Sequence, residues 1–190
     1  MVGSLLAVTL VSGGILGFVH AMTREAIEIS KMKAQTDAIS HVLPVSGDLG
    51  KTVKVLPANC KDSMELFLAY KEGIMVGMAV KTYSDKGFSG HISIMAGLDT
   101  LGNVTGYEIL EHKETPGLGS KMTTWFRNSE KPGQNVIGKN FSTTRFQVKK
   151  DGGDIDAITA STITSRAFLD ALTRAHEATV IFLSDTVAGR

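Results

Sequence analysis

Hydrophobic and polar positions divide this chain into three stretches of different period. From Val2 to Met22 there is no Asp, Glu, Lys or Arg, and a helix of about 21 residues at ~1.5 Å each spans roughly the 30 Å of a bilayer core. This predicts a retained transmembrane helix, because the apolar region of a cleaved signal peptide is only about 7–15 residues and follows a basic segment. Gly13 and Gly17 stand at the spacing that lets a second membrane helix approach closely. Thr23 to Val42 continues as a polar helix with a loose apolar stripe, Ala26, Ile27, Ile29, Ala34, Ala38 and Ile39, which ends before Pro44.

Beyond Ser46 the period shortens to that of strands. Thr52–Leu56, Met64–Tyr70, Ile74–Tyr83, His91–Asp99 and Val104–Glu111 read as strands. They are separated by turn residues such as Lys71-Glu72-Gly73 and Thr100-Leu101-Gly102-Asn103. The helical period returns after Thr164, where Ala167, Phe168, Ala171, Leu172, Ala175, Ala178, Val180 and Ile181 mark one apolar face. The expected fold class is α+β, an antiparallel sheet with packed helices, preceded by one transmembrane helix. The expected division is 1–23 anchor, 24–45 helical stalk and 46–190 folded domain.

Composition narrows the function. A net charge of +1 over 190 residues, with no basic stripe, argues against nucleic-acid binding. The single Cys60 offers neither disulfide nor redox pair, and the five histidines lack ligand spacing, so no metal site is expected. Arg24, Lys31 and Lys33 follow the apolar run, which by the positive-inside rule alone would keep the large domain in the cytoplasm. Glu25, Glu28 and Asp37 interleave with those cations.

Candidate chemistry concentrates in Asp156-Ala-Ile-Thr159-Ala160-Ser161-Thr162-Ile-Thr164-Ser165, where hydroxyls crowd a small-residue turn at the start of a helix. Such hydroxyls cap the free amides of a first turn, or leave them to a phosphate. A second candidate is the loop Glu114-Thr115-Pro116-Gly117-Leu118-Gly119, a compact Pro/Gly turn directly after a predicted strand.

The hydroxyl-rich string resembles the flavin-attachment motif Asp-x-x-Ser/Thr-Gly-Ala-Thr of the FMN-binding domain family, with Ala160-Ser161 where that family has Gly-Ala. His112 to Gly119 resembles the "HKETPGLG" loop of the RnfG family of Rnf electron-transport complexes, and Gly87 to Ile94 and the N-terminal anchor extend the likeness over nearly the whole chain. The resemblance implies FMN held covalently, its phosphate esterified to Thr162. Thr159, Ala160 and Ser161 would surround the attachment point, and Glu114, Thr115, Gly117, Leu118 and Gly119 would form one wall of the flavin site. Thr162 has no neighbouring His to activate it, so the resemblance implies a maturing flavin transferase of the ApbE type acting on Mg-FAD. With no Rossmann fingerprint, P-loop or iron–sulfur cysteine set, the chain is expected to be an electron relay without catalytic residues of its own. Its implied partners are the other membrane, iron–sulfur and flavin subunits of an Rnf complex that joins ferredoxin and NAD to Na or H movement. The implied location is the bacterial inner membrane, with the flavin domain facing the periplasm or outside. The rival readings are the related FMN-carrying C component of a Na-translocating NADH:quinone reductase and a cofactor-free, membrane-tethered assembly module.

Overall fold

A computed structural model describes residues 2–43, 48–57, 60 and 62–188. The helix that the sequence ends before Pro44 stops at Val42, whereas the domain start expected at Ser46 lies outside the described residues. The apolar run and the polar stretch after it form one continuous helix, α1 (Val2–Val42). It is long and apolar enough to cross a membrane. Residues 2–34 are exposed along its whole length, Ile27 and Ile29 included. The chain divides into two compact units, Met1–Thr36 and Asp37–Arg190.

Within the second unit five strands, β1 (Asp48–Val55), β2 (Met64–Lys71), β3 (Ile74–Gly87), β4 (Gly90–Asp99) and β5 (Val104–His112), form one sheet in sequence order. Every neighbouring pair is antiparallel. The turns match their residues. Glu72 and Gly73 both adopt positive φ between β2 and β3, as the tightest hairpins require. Between β4 and β5, the Asp99 carboxylate accepts from the Leu101 and Asn103 amides at 2.9 and 2.8 Å, a local bond that Asp readily makes.

The long helix α3 (Thr162–Ala188) lies against β3 and β4. Alternation along the strands sends Met78, Val80, Ile92, Ile94, Ala96 and Leu98 into the core it covers. Phe168 of α3 stacks on Phe126 at 4.4 Å and meets Tyr107 edge-on at 4.8 Å. Trp125 and Phe126 are thus structural: Phe126 is fully buried, and the Trp125 indole donates to the Asp156 carbonyl at 3.0 Å. The expected face of α3 is buried at Ala167, Phe168, Ala171, Leu172, Ala175 and Ala178, but Val180 is exposed and Thr179 takes the inward place. Thr179 tolerates burial because its hydroxyl donates to the Ala175 carbonyl at 2.9 Å.

The opposite face of the sheet is covered as well. Ala38, Ile39 and Val42, from the last turns of α1, pack with Ala79 and Met95, and the Thr105 hydroxyl donates to the Val42 carbonyl at 2.5 Å. The central strands are therefore buried on both sides.

His176, on α3, stacks face to face with Phe141 at 4.1 Å. Burial disfavours its charged form and holds its pKa below 6.5. As pH falls below that value the unfolded chain takes up a proton that the folded chain resists, so stability declines as the solution is acidified. Urea unfolding should therefore show a lower midpoint at about pH 5 than at about pH 7, and His176→Phe should flatten that difference.

Candidate functional site

The loop after β5 is built around Glu114. Its amide donates to His112 Nδ1 at 3.2 Å, one carboxylate oxygen accepts from the Ser89 amide at 3.0 Å, and the other accepts from the Thr164 hydroxyl at 2.7 Å. The side chain is only 5 % exposed. A buried carboxylate is tolerated when its oxygens are hydrogen-bonded in this way. Two glycines leave the space it occupies: a Cβ on Gly87 would stand 2.7 Å from one oxygen, and a Cβ on Gly119 2.5 Å from the other. Glu114 therefore joins the turn between β3 and β4, its own loop and the start of α3.

The hydroxyl-rich turn is anchored from below. Asp156 donates its amide to the Gly133 carbonyl at 2.7 Å, and its carboxylate pairs with Lys149 at 2.8 Å. Ile158 to Ser161 close a turn through a 3.0 Å backbone bond, with Ala160 at φ 61° in its third position. That is where type II turns take glycine, and an L-residue there costs about 1–2 kcal/mol. Ala160→Gly should raise stability by about 1 kcal/mol, part of the relief being offset by the greater freedom of the unfolded chain. In thermal unfolding this corresponds to a gain of roughly 2–4 °C.

The hydroxyls do not cap α3. Ser161 Oγ donates to Thr164 Oγ1 at 2.8 Å, Thr164 Oγ1 donates to the Glu114 carboxylate at 2.7 Å, and Ser165 Oγ donates to the Ser161 carbonyl at 2.9 Å. Among the described residues, no carbonyl or side chain accepts from the amides of Thr162, Ile163 or Thr164. The first turn of α3 thus keeps donors and the positive end of a 27-residue helix for a ligand.

Loop and turn meet. Glu114, Thr115, Leu118, Gly119, Ala160, Ser161 and Thr162 line one cavity of about 330 Å³, together with Phe88 and Ile163. Two residues expected from the sequence stand apart from it. Thr159 is exposed beside the cavity without lining it, and the Gly117 amide is spent inside its own turn, donating to Ser120 Oγ at 2.9 Å. Phe88 and Ile163 were not singled out. Both are exposed apolar side chains, at 67 % and 46 %. The sequence does carry a trace of Ile163, an apolar residue heading the polar face that continues with Arg166, Asp170 and Glu177. With Leu118, 41 % exposed, they give the cavity an apolar rim above a polar floor.

Residues 87–177 match the FMN-binding domain family, a span that contains every residue lining this cavity. The chain is also 33 % identical over 173 residues to the G component of the ion-translocating oxidoreductase complex of Salmonella typhimurium, covering 86 % of this chain and 82 % of the relative. The proteins of the same name from Cronobacter sakazakii and Vibrio cholerae are 34 % and 31 % identical, covering 80 % and 87 % of those relatives. The chain belongs to the RnfG family of ion-translocating oxidoreductase components. Its cavity has the chemistry an FMN site needs: free helix-terminal donors for a phosphate, hydroxyls and a carboxylate on the floor, and apolar side chains for a ring system. At about 330 Å³ it is near the small end of small-molecule pockets, which suits a ligand held by one end and lying across the exposed rim.

Proposed function

We propose that this chain is the electron-relay subunit of an Rnf-type ion-translocating oxidoreductase, with FMN held as a phosphoester on Thr162. The observation that carries the reading is the convergence of the Glu114–Gly119 loop and the Ala160–Ile163 turn, more than forty residues apart in sequence, on one cavity. Thr162 suits attachment: it is half-buried, it heads α3, and none of the described residues binds its hydroxyl. The ester would put phosphate charge beside the open amides of the first turn, where the helix dipole favours it. Phe88, Leu118 and Ile163 would hold the ring by apolar contact, and Thr115 would offer it a hydroxyl. The flavin supplies reversible electron transfer; the chain supplies position and environment.

In this reading residues 1–23 anchor the chain, 24–45 form the stalk and 46–190 the flavin domain. Gly13 and Gly17 would face a helix from elsewhere in the complex. A flavin transferase of the ApbE type makes the ester, the complex moves Na or H, and the flavin domain faces outward from the bacterial inner membrane. Co-expression with such a transferase should give a band that fluoresces as flavin on a denaturing gel. A dark band from the folded wild-type chain defeats the reading. Outward orientation predicts that a cysteine placed at Asp185, in a Cys60→Ser background, reacts with an impermeant maleimide on intact cells. Reaction only after lysis reverses it.

A further inference from the structure

The residue immediately before Thr162 is a serine, and a serine hydroxyl is a less hindered nucleophile than that of a threonine. Local chemistry alone would therefore favour Ser161 for phosphorylation-type attack. Its surroundings differ from those of its neighbour. Ser161 is 9 % exposed and its proton is committed to Thr164 Oγ1 at 2.8 Å. Thr164 is fully buried and commits its own proton to Glu114 at 2.7 Å. The Ser161 carbonyl is also occupied, accepting from both the amide and the hydroxyl of Ser165. Glu114 itself is fixed by the Ser89 amide and by the two glycines that flank its oxygens. The directed chain Ser161→Thr164→Glu114 thus ends on a group that only accepts, so the order of donors cannot reverse while Glu114 is a carboxylate.

We propose that Thr164 and Glu114 are specificity-determining residues for flavin attachment, withholding the Ser161 hydroxyl so that Thr162 alone is modified. This rests on the reading of Thr162 as the attachment site. In the step concerned, a hydroxyl oxygen of this chain attacks the FMN-side phosphorus of FAD bound to the transferase. A new P–O bond forms to the chain and the pyrophosphate P–O bond breaks. AMP leaves with the electron pair, the hydroxyl proton passes to a base of the transferase, and no redox change occurs. Thr164 and Glu114 touch neither reacting atom; they act through the position of Ser161.

The test is co-expression of the full chain with a flavin transferase, followed by mass mapping of flavin-bearing peptides. Wild type should carry flavin on Thr162 only, and Thr162→Ala should carry none. Thr162→Ala with Thr164→Val, which keeps the shape and removes the hydroxyl, should place flavin on Ser161, where Thr162→Ala alone carries none, because the hydrogen bond that holds the Ser161 proton is lost. Thr162→Ala with Thr164→Ser, which restores the donor and acceptor, should return to none. A folded Thr162→Ala/Thr164→Val chain without flavin on Ser161, or flavin on Ser161 in Thr162→Ala alone, overturns the proposal. Should the Thr162→Ala/Thr164→Val chain not fold, Thr164→Val by itself decides: flavin on both residues supports the proposal and flavin on Thr162 alone overturns it. Absence of flavin from wild type defeats the attachment reading instead, so the two failures are distinct.

Discussion

If FMN is esterified to Thr162 as proposed, Thr162→Ala should remove covalent flavin completely: the fluorescent band should disappear from denaturing gels and the intact mass should lose the FMN increment. The physical ground is that this change deletes the hydroxyl proposed to carry the ester and little else. Thr162 is the first residue of α3, half-buried, with its hydroxyl unbound by any described residue. Alanine is the better helix former by several tenths of a kcal/mol, and surface changes of this kind stay within about 0.5 kcal/mol. Thermal unfolding should therefore be nearly unchanged while loading falls to zero. A variant that keeps its fluorescence would place the ester elsewhere, and one that melts much earlier would make Thr162 a structural residue.

Gly119→Ala should be the most damaging single-methyl change near the site. A Cβ there would lie 2.5 Å from a Glu114 oxygen, 2.8 Å from Glu114 Cβ and 2.8 Å from Thr164 Oγ1. None of the three is a free end: Glu114 is held at both oxygens and Thr164 is fully buried. Forcing them apart combines overpacking, typically about 1–3 kcal/mol, with loss of a charge-assisted bond, about 1.5–3 kcal/mol. We expect a loss of about 3 kcal/mol and a thermal midpoint lower by on the order of 10 °C in detergent. Flavin loading should fall as well, since Gly119 and Glu114 both line the cavity. Gly117→Ala is the control. Nothing lies within 4 Å of its added methyl, but φ is 76°, so its cost is that of a left-handed residue alone, about 1–2 kcal/mol. If Gly117→Ala proves the more destabilising of the two, Glu114 is not held as tightly as its contacts imply.

The elements that sequence pattern made legible are those whose signals are local. The five strands appear within a few residues of their expected places because side-chain alternation and turn chemistry act over two to four residues. β3 runs four residues beyond its expected end at Tyr83, to Gly87, because hydrogen bonds to β4 extend a strand past its apolar stretch. Val180 departs from the apolar pattern because the inward stripe runs through Ala175, Ala178 and Thr179, where a polar residue hides the face that the periodicity marks. At the site, Thr162, Ser161, Ala160, Thr115, Leu118 and Gly119 were legible from two short motifs, whereas Phe88 and Ile163 join the cavity only through folding. Glu114 was legible as a residue of the loop but not as a buried one, since its partners Ser89 and Thr164 lie 25 and 50 residues away.

By itself the sequence determined the apolar anchor, the strands and their antiparallel pairing, the long C-terminal helix and the two motifs that chemistry would use. Each follows from short-range periodicity or from residue types with one preferred backbone role. Only the tertiary structure decided that the last turns of α1 cover the second face of the sheet, and that the hydroxyls of the turn bind Glu114 and one another in place of the helix amides. The reason is that a hydroxyl chooses among partners by distance, and those distances are set by how α3 and the loop after β5 pack on the sheet. That choice leaves Thr162 open and Ser161 closed.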